Sequence, residues 1–146
     1  MSESFSKNYF ELKGKNAEKV VHDLATKTFL VDWSFLNPKL PNGKELCDLL
    51  VVFGNIAIIW QIKDLKLDEN SKYKEAEVNK NLRQIAGARR QLFDLKTAIS
   101  LQNPRRQEAF DASKIEKIYL ISVLLGEGEN SFSFIDEIKN NKVHVF

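Results

Sequence analysis

A single cysteine in 146 residues excludes an intramolecular disulfide. Cys47 sits inside an apolar run, where it reads as a small buried hydrophobe, so thiol chemistry is not expected. The opening MSESFSKNYF lacks an apolar core of the kind a signal peptide needs. No apolar run reaches the roughly 18 residues of a membrane span. A cytoplasmic protein that does not enter the membrane is therefore the default expectation. Internal repeats and low-complexity tracts are also missing. His22 has no neighbour at metal-ligand spacing and reads as a surface residue, as does Asp23.

What remains is 43% hydrophobic and 10% aromatic, enough for one core, and residues 1–146 read as one domain. The net charge of +2 hides an uneven distribution. Residues 1–62 carry 7 basic and 7 acidic side chains, residues 63–106 carry 11 and 6, and residues 107–146 carry 4 and 7. The basic middle runs from Lys63 through Lys80, Arg83, Arg89, Arg90, Lys96, Arg105 and Arg106. Two readings fit such a run, a solvated helix face and an electrostatic footprint for a phosphate backbone.

The chain is organised around ELCDLLVVFGNIAIIWQIKD, residues 45–64. Two apolar runs, Leu46–Phe53 and Ile56–Lys63, flank Gly54-Asn55, which suits a type II′ turn because the first central position needs a positive φ. The resulting hairpin pairs Phe53 with Ile56, and so sets Asp48 opposite Gln61 and Leu46 opposite Lys63. Opposed residues share a face, as do alternate residues of one strand. Asp48, Leu50, Val52, Ala57, Ile59, Gln61 and Lys63 then form one face. Cys47, Leu49, Val51, Phe53, Ile56, Ile58, Trp60 and Ile62 form the other. Both faces are apolar except at the end where Asp48, Gln61 and Lys63 emerge together. Burying those three groups is costly unless they satisfy one another or hold an ion. A structural Asp48–Lys63 ion pair and a metal site are the two explanations.

Along the rest of the chain, Asn16 suits the N-cap of a helix over about residues 17–27. Val20, Val21, Leu24 and Ala25 would supply its core stripe and Glu18 would lie in its first turn. Phe29–Phe35 reads as a short strand in which Asp32 and Trp33 look structural, and Asn37-Pro38 with Leu40-Pro41-Asn42-Gly43 signals a loop. Residues 71–100 read as a long helix with Val78, Leu82, Ile85, Ala86, Leu92, Phe93 and Ile99 in its core stripe. Gly87 within it suggests a close approach to the sheet. Gln84 lies near the edge of the stripe. Asn103-Pro104 opens a polar loop, Ile115–Leu125 reads as a buried strand, and Val143–Phe146 ends the chain on an apolar alternation. That ending predicts an edge strand, a segment covered by a partner in a homodimer, or a chain that is a fragment of something longer.

The order is thus helix, strand, hairpin, basic helix, strand. With Asp48, twelve intervening residues and then Gln61-x-Lys63, the chain resembles the PD-(D/E)XK nuclease superfamily over roughly residues 15–125. Glutamine stands where the commonest pattern has an acidic residue, similar to the variant in type IV restriction enzymes of the Mrr kind. Cys47 occupies the place of the usual proline. The resemblance implies an α/β restriction-endonuclease-like fold, an αβββαβ core with a central mixed sheet flanked by helices. It implies a magnesium- or manganese-dependent DNA endonuclease in which Asp48, the Gln61 side-chain carbonyl, the Ile62 backbone carbonyl and Glu18 hold the metal. Lys63 would orient or deprotonate the attacking water, with Asp48, Gln61, Lys63 and Glu18 as the catalytic set. Lys80, Arg83, Gln84, Arg89 and Arg90 would contact DNA. Two rivals need no metal: an inactive domain of the same fold that binds DNA or a protein through the basic face, and a dimerisation domain.

Overall fold

The computed structural model describes residues 16, 19–24, 26–28, 31–65, 74–95, 97–126, 134–138 and 141–146. Within them the chain is mixed α/β. Eight strands are present among the described residues: β1 (Ser34–Leu36), β2 (Leu49–Phe53), β3 (Ile56–Leu65), β4 (Ile99–Gln102), β5 (Gln107–Phe110), β6 (Lys117–Gly126), β7 (Phe134–Ile138) and β8 (Asn141–Val145). Six of them make one sheet in the order β1-β2-β3-β6-β8-β7, and β4 with β5 forms a separate hairpin. A long helix, Glu75–Phe93, lies between β3 and β4 in the chain.

The β2–β3 hairpin has the expected register, with Phe53 paired to Ile56, Val51 to Ile58 and Leu49 to Trp60. Its turn has φ +59° at Gly54, while Asn55 is not in the positive-φ region. That is the type II′ pattern rather than type I′, which needs positive φ at both positions. β1 continues the antiparallel meander on β2. On the other side β6 runs parallel to β3 through ten pairs, from Ile56↔Lys117 to Leu65↔Gly126. A parallel neighbour needs a crossover, and the long helix provides much of it.

The two faces of the hairpin separate as alternation predicts. Leu50, Val52, Ala57 and Ile59 pack with Leu82, Ile85, Ala88 and Leu92 of the helix in the larger core. Leu49, Val51 and Trp60 pack with Val21 in the smaller one. The sheet is therefore covered on one side by the long helix and on the other by helical residues 19–24 and 26–28.

Several expectations change. The long helix stops at Phe93, so Ile99 is buried from strand β4 instead, and Phe93 is 46% exposed. ISLQ and QEAF alternate with period two around Asn103-Pro104-Arg105-Arg106, and the Asn103 side-chain oxygen accepts from the backbone N–H of both Arg105 and Arg106 at 2.9 Å. That Asx turn closes a hairpin where a plain loop was expected. Arg106 then pins the hairpin to the sheet. Its Nε donates to the Asp32 carbonyl at 2.7 Å and its guanidinium lies 4.4 Å from the centre of the Trp33 ring. Asp32 and Trp33 make these structural contacts from a 3-10 turn at Val31–Trp33, not from the strand read over Phe29–Phe35, whose described part begins at Ser34, and Arg106 is engaged there.

In the first helix Val21 is buried, whereas Val20 and Leu24 are 61% and 57% exposed, so the core stripe is narrower than the spacing implied. Asn16 already has helical backbone and is not the cap. Glu18 and Ala25 lie outside the described residues. The Val143–Phe146 alternation is not at an edge. Val143 and Val145 are buried in β8, which lies between β6 and β7, and they pack in the larger core. No helix among the described residues is long and apolar enough to cross a membrane.

Gly87 does not approach the sheet: a Cβ placed on it meets no atom within 4 Å. Gly87→Ala is therefore expected to stabilise the protein by about 1 kcal/mol through helix propensity and the unfolded chain's entropy. A denaturant melt checks this, and a loss of stability would mean that the position is packed.

Candidate active site

The site forms where the β2–β3 ladder ends. Backbone bonds from Asn37 N–H to the Asp48 carbonyl (2.9 Å) and from Leu46 N–H to the Pro38 carbonyl (2.8 Å) draw residues 46–48 toward the preceding loop. The ladder therefore stops at Leu49↔Trp60, and the expected Leu46↔Lys63 pairing is not made. Past that point the Ile62 N–H has no β2 carbonyl to meet. The Asp48 side chain takes its place, its Oδ2 accepting from Ile62 N at 2.6 Å and from Gln61 Nε2 at 3.0 Å.

Asp48 is 7% exposed, so these two bonds offset a desolvation that would otherwise be severe. Residues in an extended strand send N–H and C=O to the same side, so the Ile62 carbonyl faces the same opening. Gln61 is half-buried and presents its NH2 to the carboxylate, which directs its Oε1 elsewhere. Lys63, also half-buried, follows Gln61 on the same face by strand alternation. Among the described residues it makes no ion pair, so an Asp48–Lys63 bridge does not account for the cluster.

Cys47 departs from its expected face. The bend at residues 46–48 turns it into the larger core beside Leu46, where its Sγ donates to the Leu49 carbonyl at 3.4 Å. Burial first, then the nearby Asp48 and Glu45 carboxylates, push its thiol far above the ordinary range. It stays protonated and inert, as read from the sequence.

Beside Gln61 a cleft of about 380 Å³ opens between the pre-β2 loop (Glu45, Leu46, Cys47) and the long helix (Gln84, Gly87, Gln91). Lys80, Gln84, Gly87 and Gln91 follow one another at spacings of four, three and four, a single stripe of the helix. Arg83 and Arg90, seven apart and exposed, form a neighbouring stripe. Arg89 is different: its guanidinium sits 4.7 Å from the centre of the Phe93 ring and is engaged there. The structure thus brings Asp48, Gln61 and Ile62 into contact and sets Gln84 beside Gln61. It keeps Arg89 occupied elsewhere. Glu18 is outside the described residues.

Two features escape sequence reading. Gln91 carried a signal, its i+7 spacing from Gln84, whereas Glu45 reaches the cleft through a loop whose path no periodicity reports. Behind the site, Asn81 and Ser122 are buried, with Asn81 Nδ2 donating to Ser122 Oγ at 2.6 Å and, weakly, to the Gln61 carbonyl at 3.5 Å. This polar link between helix, β3 and β6 lies within the core.

Comparison with family models, with curated proteins and with solved structures finds no match in any of the three.

Among the described residues no three His, Cys, Asp or Glu side chains come together to hold a metal. The donor set at β3 is of another kind: one carboxylate, one carboxamide and one backbone carbonyl. All three are hard oxygen donors of the type magnesium accepts while keeping several waters. They fit that ion once the Gln61 carboxamide turns to present Oε1 in place of Nε2.

Proposed function

We propose that this chain is a metal-dependent DNA endonuclease of the restriction-endonuclease-like, PD-(D/E)XK kind, working in the cytoplasm. In this reading the helical residues 19–24 and 26–28, strands β1–β3, the long helix and β6 form the αβββαβ core, with the β4–β5 hairpin inserted before the last strand. The observation that supports it most is the meeting of Asp48, Gln61 and Ile62 at the open end of the hairpin ladder, with Lys63 next along the same strand.

Asp48, Gln61 Oε1 and the Ile62 carbonyl would hold magnesium or manganese, with Glu18 approaching from the first helix. The bound ion supplies neutralisation of phosphoryl charge and a lowered pKa for water. Lys63 orients or deprotonates the attacking water, or stabilises negative charge that develops on the phosphoryl oxygens. Lys80, Arg83 and Arg90 draw in the phosphate backbone, fixing position without reading sequence. The purified chain is expected to cleave DNA in magnesium or manganese and to stop in EDTA. No cleavage with any divalent ion would remove the enzyme reading.

One observation favours a second reading. The Asp48 carboxylate already accepts two hydrogen bonds, so burial is tolerated without an ion, as an inactive DNA-binding module would require. Both readings expect salt-sensitive DNA affinity. Arg83→Ala and Arg90→Ala should each weaken binding at low salt, and Arg89→Ala should weaken it less, because that guanidinium is held on Phe93. Electrophoretic retardation across a salt series checks the order. Equal losses at all three positions would contradict it.

A further inference from the structure

The cleft beside Gln61 is the wrong shape of charge for a phosphate. Among the described residues its lining holds one carboxylate, Glu45, and three carboxamides, Gln61, Gln84 and Gln91, and no Lys or Arg. Of the helix cations, Arg83 and Arg90 flank it on the neighbouring stripe, and Lys80 lies one turn before Gln84 on the same stripe without lining the cleft. A phosphate wants cationic or backbone N–H donors, whereas carboxamides and a carboxylate match the N–H, carbonyl and ring-nitrogen edges of a neutral heterocycle. Glutamine can bond an adenine edge through both its donor and its acceptor, and a carboxylate can accept from the exocyclic amine of cytosine. The volume of about 380 Å³ lies within the range of small-ligand sites.

Gly87 is the second, independent observation. It sits in the middle of the helix at a cost of about 1 kcal/mol relative to alanine. No atom lies within 4 Å of where its Cβ would be, so packing does not demand glycine there. What the missing side chain leaves is open space in the cleft wall between Gln84 and Gln91.

We propose that this cleft receives a single unpaired nucleobase of a DNA strand, held at its edges by Gln61, Gln84, Gln91 and Glu45. A base within a duplex cannot reach the cleft without leaving the stack, so the favoured ligand is a single-stranded or extruded nucleotide. This rests on the reading that the chain binds DNA, but not on catalysis.

The test is fluorescence anisotropy in EDTA, with a labelled single-stranded oligonucleotide and the same strand made abasic. The wild-type chain is expected to bind the base-bearing strand about tenfold more tightly, the worth of one or two net hydrogen bonds. Gly87→Leu fills open space and favours the helix, so it should stay folded by thermal melt. It should remove the preference while leaving affinity for the abasic strand unchanged. Gln91→Leu, at an exposed position, should reduce the preference without filling the wall at Gly87. Equal wild-type affinity for the two strands, or an undiminished preference in Gly87→Leu, overturns the proposal. If the preference holds while no divalent ion supports cleavage, the nuclease reading fails and the base site stands. Failure to bind either strand removes both.

Discussion

Purified Asp48→Asn protein is expected to lose magnesium- and manganese-dependent DNA cleavage while remaining folded, and Lys63→Ala is expected to do the same. Asparagine keeps the size of Asp48 and an oxygen that can accept from Ile62 N and Gln61 Nε2, the two bonds at 2.6 and 3.0 Å that join this loop to β3. It removes the negative charge on which an oxygen-ligated cation depends. Alanine is the poorer choice at this position. It strands two donors beside a buried site, at about 1–3 kcal/mol for each one left unsatisfied, and confuses lost activity with lost structure. For Lys63 the concern is smaller, because among the described residues its ammonium holds no ion pair whose loss would unsettle the fold. If Lys63 handles the attacking water as proposed, its removal should slow cleavage by about a hundredfold or more. Cleavage at the wild-type rate in either folded variant, measured on duplex and single-stranded DNA, would sink the catalytic assignment.

The second large effect is expected at Gln61. In Gln61→Glu the carboxamide N–H that now donates to Asp48 is replaced by a second carboxylate at about the same contact. Without a divalent ion, two carboxylates so placed cannot both ionise freely, and the proton they share raises the pKa of the pair in the folded state. A folded-state pKa above the unfolded value means that stability is fully present below the unfolded carboxylate range. It is lost as pH rises through the folded value. In EDTA the variant should therefore match the wild type most closely in acid and fall behind toward neutral pH. Each kcal/mol of repulsion should lower the melting temperature by about 2–4 °C. Magnesium, binding the folded state alone, should reverse the deficit and raise the variant's melting temperature more than the wild type's. A variant that is indifferent to magnesium would show that the carboxyl positions do not converge on a shared ion.

How far the sequence could be read depended on whether local rules acted alone. The β2–β3 register was legible because Gly54 at φ +59° sets the turn and alternation then assigns every side chain through Leu49 and Trp60. It failed beyond that point. The Asn37–Pro38 loop captures residues 46–48 by backbone bonds that no pattern announces, and Cys47 turns to the opposite face. Asp48 still meets Gln61, but through its side chain at the end of the ladder, not as the next rung. Residues 99–110 were misread because a helical stripe can be continued through Ile99 when the period-two alternation of ISLQ and QEAF is short. The side-chain caps of Asn103 settle it only in three dimensions. Glycine in a helix costs stability and so invites a packing role for Gly87, but the open space around it shows that packing does not require glycine there. Glu45 joined the site without warning, carried there by a loop. The tie between Asn81 and Ser122 spans 41 positions, and two ordinary polar residues offer no sign of such a pairing.

In the proposed site Asp48 and Gln61 share a cation. Crystals soaked in manganese and measured for anomalous scattering test it most directly. A peak is expected between the Asp48 carboxylate and Gln61, with the carboxamide turned so that Oε1 faces the ion and the Nε2 bond to Asp48 broken. A map without that peak, in which Gln61 Nε2 still donates to Asp48 Oδ2, would contradict it.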